Sequence, residues 1–207
     1  EYAPMTPLPE LRQMQETEKL GALLQAAAER FASHDSHIGA QMAANLRAID
    51  PPPLGNSGHQ VAACSDLDTL CQSVVDPLVD LISRCHPMLR WRQPGFGKLQ
   101  AKVADRMAVS EIVGPDGMIH HPGFRFGLLL QQAGVDYPTH RHAAEELYLV
   151  LSGSAGWAVD GQDYVTHAPE VFIHHHPWQP HMILTRAQPM LTMWGWTGDI
   201  LSGTYAV

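Results

Sequence analysis

Positive charge, cysteine and long apolar runs are all scarce in this chain of 207 residues. Lys and Arg total 13 against 21 Asp and Glu, a formal net charge of −8. Nucleic acid and anionic membranes reward a basic surface, so neither is expected as a partner. No stretch approaches the roughly eighteen apolar residues of a membrane span. No secretory leader is visible, and because residue 1 is Glu the native start is expected to lie upstream. Only three cysteines occur, Cys64, Cys71 and Cys85. Their odd number and the same-face helical spacing of Cys64 and Cys71 favour buried thiols, and hence a reducing, cytoplasmic setting. Repeats and low-complexity tracts are absent. With 45% hydrophobic and 16% charged residues the chain is globular, not disordered.

What is present divides in two by pattern. Residues 1–90 form a helical N-terminal region, expected to pack on the second half or on a second subunit, which makes a homodimer one option. Helical periodicity runs over 8–49 through Leu11, Met14, Leu20, Leu23, Leu24, Ala27, Phe31, Met42, Leu46 and Ile49, with a break and recap at Asp35-Ser36. The Pro-rich segment 51–58 is a loop. Ser65 and Asp68 suggest a capped start for a helix reaching Cys85, interrupted at Pro77. Residues 91–207 are β-rich, with strands expected at 108–113, 124–131, 146–151, 156–159, 163–166, 170–174, 182–185 and 190–195. Turn signals stand at 114–117 and at Asp160-Gly161. That number of short strands is what a double-stranded antiparallel barrel or jelly roll needs.

Chemistry concentrates in His140-Arg-His142-Ala-Ala-Glu-Glu146-Leu-Tyr148-Leu-Val-Leu-Ser-Gly153. Strand side chains alternate, so Glu146 and Tyr148 share one face while Leu147, Leu149 and Leu151 take the other. If the run 143–145 lets both parts enter one cavity, two imidazoles, a carboxylate and a phenol converge. Those donors suit a divalent transition metal. A lone H-x-H is common on exposed strands; Glu146, Gly153 and a later His after a Pro-rich turn make the metal reading the stronger one.

The pattern H-x-H-x3-E-x6-G followed by strand, Pro turn and His resembles the two-part signature of the cupin superfamily. That resemblance implies a mainly β double-stranded β-helix (jelly-roll) barrel carrying the α-helical extension. It implies His140, His142, Glu146 and His181 as metal ligands. Pro169 replaces the usual Gly of the second motif, and Pro177-Trp178-Gln179-Pro180 replaces its usual turn, so His174, His175 and His176 stay rivals of His181. The His174–His176 run is otherwise expected to be wet, with at most one member facing the cavity. The donors fit zinc first, with iron, manganese, cobalt or nickel also compatible.

Glu-x-Tyr after H-x-H is not a general cupin feature. Together with Tyr137 and Trp196 it resembles the bacterial cupin-type dimethylsulfoniopropionate (DMSP) lyases of the DddL/DddQ group. The resemblance implies β-elimination of DMSP to dimethyl sulfide and acrylate. Tyr148 would be the base for the α proton, and Tyr137 a second catalytic or pocket phenol. Tyr137, Trp178 and Trp196 would hold the sulfonium by cation–π contact. Trp157 and Trp194 are assigned mainly to packing. Two other readings stay open: an Fe(II) cupin dioxygenase, and a non-catalytic small-molecule-binding cupin.

Overall fold

The computed structural model describes residues 9–53 and 58–207; Leu8 and residues 54–57 of the expected helix and loop lie outside them. The described residues begin with α1 (Pro9–Ala32) and α2 (His37–Arg47). Asp35-Ser36 does break them: Ser36 is the N-cap of α2, its Oγ accepting from the Gly39 N–H at 3.1 Å. The helix expected from Ser65 to Cys85 is instead three pieces. A 3-10 turn covers Ala62–Asp66, followed by α3 (Leu67–Gln72) and α4 (Pro77–Cys85). The Ser65–Asp68 start fails because Asp66 holds the cap position of α3 and makes no side-chain cap bond. Pro77 does not kink a helix but opens one. Its missing N–H costs nothing at the first position, and Asp76 caps the Leu78 and Val79 amides.

After the short α5 (Ala101–Ala104) come ten strands: β1 (Met107–Gly114), β2 (Ile119–His120), β3 (Arg125–Gln131), β4 (Asp136–His140), β5 (Ala144–Gly153), β6 (Ala155–Val159), β7 (Val165–His167), β8 (Phe172–His175), β9 (His181–Leu184) and β10 (Met190–Gly198). One sheet runs β2-β1-β3-β10-β5-β8 and the other β4-β9-β6-β7. From β3 onward the chain crosses between the sheets at every step except the β6–β7 hairpin, which stays in the small sheet, an order expected of a jelly roll. Strands β2 and β4 were missed in the sequence. The first is two residues long, and the second carries Pro138 and polar residues that break the apolar alternation.

Alternation sorts the large sheet into two faces. Leu128 and Leu130 of β3, with Leu147, Leu149 and Leu151 of β5, share a core with Leu20, Leu24, Phe31, Met42 and Ile82 of the helices. Phe31 meets Phe126 edge-on, ring centroids 6.1 Å apart. Leu129, Tyr148, Trp194 and Trp196 point the other way, toward Tyr137, Trp157 and Ile183 of the small sheet. At the end of β5, Ser152 Oγ donates to the Leu70 carbonyl at 2.7 Å, tying the strand to α3. Gly153 then turns the chain with φ +74°, and a Cβ there would collide with the Pro189 carbonyl oxygen. All three cysteines are free, and burial pushes the Cys71 and Cys85 thiols up to about 11.

Candidate metal centre and active site

The cavity between the sheets collects most of the residues singled out by sequence. β4 ends at His140, and the bridge Arg141–Ala206 then ties the next residues to the C-terminal tail before β5 begins. Register places His140 opposite His181, and Glu146 opposite both Trp196 and His175. All of these side chains are buried.

Three donors converge. His142 Nε2 lies 3.1 Å and His181 Nε2 3.3 Å from Glu146 Oε2. Glu146 Oε1 accepts from the Trp196 indole N–H at 2.6 Å. The opposite nitrogen of each imidazole contacts a backbone carbonyl: His142 Nδ1 to Ala144 O at 3.0 Å, His181 Nδ1 to Gln179 O at 2.9 Å, His140 Nδ1 to Pro138 O at 2.9 Å. A carbonyl only accepts, so each Nδ1 donates and each Nε2 keeps its lone pair for something else. His181 Nε2 is buried without a hydrogen-bond partner. Lone pairs of two imidazoles and a carboxylate therefore face one another in a buried space, an arrangement that a divalent cation would satisfy. The ligand atoms of His142, Glu146 and His181 all lie within 4.8 Å of one another. His140 stands beside it, its ring T-shaped on His181 at 4.1 Å and stacked on Tyr137 at 4.1 Å.

Charge follows the same geometry. Burial alone would raise the Glu146 carboxyl, but His142 and His181 outweigh it and hold it well below the usual carboxylate range. Burial, then His181, pushes His140 well below the ordinary imidazole value. Burial first, then Glu146, pushes the Tyr148 phenol well up. Burial and the neighbouring Tyr205 do the same to Tyr137.

Sequence reasoning missed part of this wall. Tyr205 lies in the tail beyond the last strand, with no periodic pattern to announce it, yet its hydroxyl is 2.9 Å from that of Tyr137. Phe96 sits in Gly95-Phe96-Gly97, all three at positive φ, and lines the same cavity with Arg92, Tyr148, Trp194 and Trp196. Behind Phe96, Arg125 is buried against Glu111 at 2.8–2.9 Å and Asp116 at 2.9 Å, while Arg92 reaches Glu111 at 3.0 Å. Trp194 packs in the core between the sheets, as the sequence suggests, and, two residues from Trp196 on the same face and 5.8 Å from it, also lines the cavity.

One expectation needs correction. Trp178 does not join the cavity. It occupies the turn after β8 with φ +63°, its side chain half-exposed, and it serves through its backbone, whose N–H donates to His142 O at 2.7 Å. The run His174–His176 turns one member to the cavity, within what the sequence allows. β8 alternates, so His175 is fully buried and stacks on His181 at 3.9 Å with neither ring nitrogen partnered. Burial, then His181, holds its imidazole neutral.

Comparison with known proteins gives this geometry a family. A DddQ dimethylsulfoniopropionate lyase of Ruegeria pomeroyi is 30% identical over 112 residues, 54% of this chain. The chain spans 56% of the length of the curated relatives it matches. The solved structure of DddQ from R. pomeroyi DSS-3 superposes with TM-score 0.62 at 22% identity, over 84% of this chain and 92% of that one. A chain from the crystal structures of the DMSP lyases RdDddP and RnDddQII gives TM-score 0.68 at 24% identity, over 93% and 98%. These two show the shared fold, helical extension included. The dimethylsulfoniopropionate lyase family model matches residues 34–192, a span that includes the His/Glu triad and Tyr148, and the chain belongs to that family.

Proposed function

We propose that this chain is a metal-dependent lyase that splits DMSP into dimethyl sulfide and acrylate, with Tyr148 as the base. The observation that carries the reading is the convergence of His142, Glu146 and His181 in a buried aromatic cavity, with Tyr148 beside Glu146. His140, His142, Glu146 and His181 would hold one divalent metal, zinc foremost, which when bound would polarise the substrate carboxylate and supply positive charge to the site.

The residues of the chain divide the remaining work. Elimination breaks a C–H bond α to the carboxylate and the C–S bond at the β carbon. The C–H electron pair forms the new double bond, and dimethyl sulfide leaves with the C–S pair. Tyr148 projects from β5 on the same face as Glu146, which supports giving its phenolic oxygen the role of taking the proton. Tyr137 is paired with Tyr205 through their hydroxyls, which orients both rings and suits them to substrate placement. The faces of Tyr137 and Trp196, joined by Trp194, Phe96 and Tyr205, offer a dimethylsulfonium cation–π contacts of roughly 0.5–2 kcal/mol each. Trp196 has a second role, because its indole N–H also fixes Glu146.

No helix among the described residues is long and apolar enough to cross a membrane. The free, buried thiols fit a reducing compartment, and we assign the chain to the cytoplasm on that ground.

The test is direct. Chelator-treated protein is given DMSP and a metal series under nitrogen, with acrylate and headspace dimethyl sulfide measured. The reading expects both products in equal amounts, dependent on metal and independent of O₂. Product formation that needs O₂, or none with any metal, would overturn it.

A further inference from the structure

The β5–β8 pair carries chemistry on both faces. Glu146 opposes His175, and both point inward. Alternation sends Glu145, His174 and His176 to the outer side, at the edge of the surface that the helices cover. There His174 Nε2 lies 2.8 Å from Glu145 Oε1, and the His174 and His176 rings are 4.7 Å apart. One ligand atom from each of the three falls within 4.8 Å of the others. Glu145 and His174 side chains are 27% and 26% exposed, and His176 is exposed, so ions reach all three from solvent. Two imidazoles and one carboxylate favour borderline transition ions over calcium or magnesium, which prefer oxygen.

We propose that Glu145, His174 and His176 form a second divalent transition-metal site, separate from the cavity and open to solvent. Three protein donors leave positions for water, so the site is weaker than one closed by four ligands. Its place in the fold gives it a consequence. β8 is the edge strand of the large sheet and pairs there with β5 alone. An ion bridging Glu145 to His174 and His176 ties that edge to β5, the strand whose inner face carries Glu146 and Tyr148. Occupancy therefore stabilises the strand pair by mass action, since the site exists only when the two strands are paired. The helical region borders the site: the His34 ring packs on Phe172 at 4.8 Å, and Arg30 pairs with Glu170.

The experiment is zinc titration of tag-free, chelator-stripped full chain by calorimetry, with zinc content counted after desalting. Wild type is expected to bind a tight ion and a weaker one. The double variant His174→Gln/His176→Gln should lose the weaker ion and keep the tight one. Glu145→Gln should weaken the second ion by at least about tenfold and leave the first unchanged. Zinc in excess should raise the melting temperature of wild type more than that of the double variant. If the cavity takes no zinc, wild type binds a single ion that the double variant loses, and the outer site still stands. A weaker ion that persists unchanged in the double variant, a single ion that survives it, or no zinc binding at all would overturn the proposal.

Discussion

Replacing Tyr148 with Phe separates chemistry from architecture. The ring is 5% exposed and packs against Trp157 at 5.8 Å, and Phe keeps that packing. What is lost is the hydroxyl and its interaction with the Glu146 carboxylate. Glu146 retains the Trp196 indole N–H, so its charge keeps a hydrogen-bond donor. The stability change should be about 1 kcal/mol or less, and metal content should be unchanged. Loss of a general base should lower turnover by roughly 10²–10⁴, equivalent to about 2.7–5.4 kcal/mol in the barrier. The assay is acrylate formation by metal-loaded protein across pH, with metal content and unfolding midpoint measured on the same samples. Burial and Glu146 raise the Tyr148 pKa, so its base form is scarce at neutral pH and the wild-type rate should climb as pH rises. That limb should be missing in Tyr148→Phe. The sign for stability follows from the same shift. Folded Tyr148 holds its proton above the ordinary value of about 10, so its stabilising share is complete below that pH and is lost as pH rises beyond it. Near wild-type turnover in Tyr148→Phe, with Tyr137→Phe inactive, would reverse the two roles. Full turnover in both would refute a tyrosine base.

Trp196→Phe removes the 2.6 Å hydrogen bond to Glu146, and we expect metal affinity to fall by roughly 10–100-fold in a chelator competition assay while the fold persists. His175 is buried and its pKa is lowered, so the unfolded chain takes up a proton below about pH 6.5 that the folded chain refuses; stability present above that pH is lost as pH falls, by about 1.4 kcal/mol per unit. Urea unfolding of metal-free protein at descending pH should show that slope reduced in His175→Phe, and equal slopes would count against a buried neutral imidazole. Arg125→Met leaves the buried Glu111 carboxylate only the partly exposed Arg92 as a charged partner, beside the Asp116 N–H, so a loss of about 3–5 kcal/mol is expected by denaturant unfolding.

The sequence made the triad legible because its signal is local. His142 and Glu146 sit in one short run, Gly153 ends that run at a positive φ only glycine favours, and His181 follows a Pro-rich turn. The helix break at Ser36 and the separate faces of Leu147 and Tyr148 were readable for the same reason, from caps and alternation. What escaped depends on contacts between distant segments. Tyr205 reaches the cavity because Ala206 pairs with Arg141, a bridge that no periodicity records. Phe96 reaches it through a turn of three left-handed residues. His175 was obscured by its neighbours, since three consecutive histidines hide the period of 2 that buries the middle one. Trp178 misled because its proximity to the second motif in sequence says nothing about the direction its side chain takes from a positive-φ turn.

The same alternation explains why the helical region bears on a site it does not touch. Along β5, Leu147, Leu149 and Leu151 are locked among helical side chains while Glu146 and Tyr148 face the cavity. A slip of one residue would exchange the two sets, driving a carboxylate into the helix-facing core and leucines into the polar cavity. Each face therefore penalises an error in the other. The apolar face gains its preference from burial against α1 to α4, and the polar face gains its own from His142, His181 and Trp196 closing on Glu146. Register on β5 is set by both sides at once, and the placement of the Tyr148 oxygen relative to Glu146 inherits that precision.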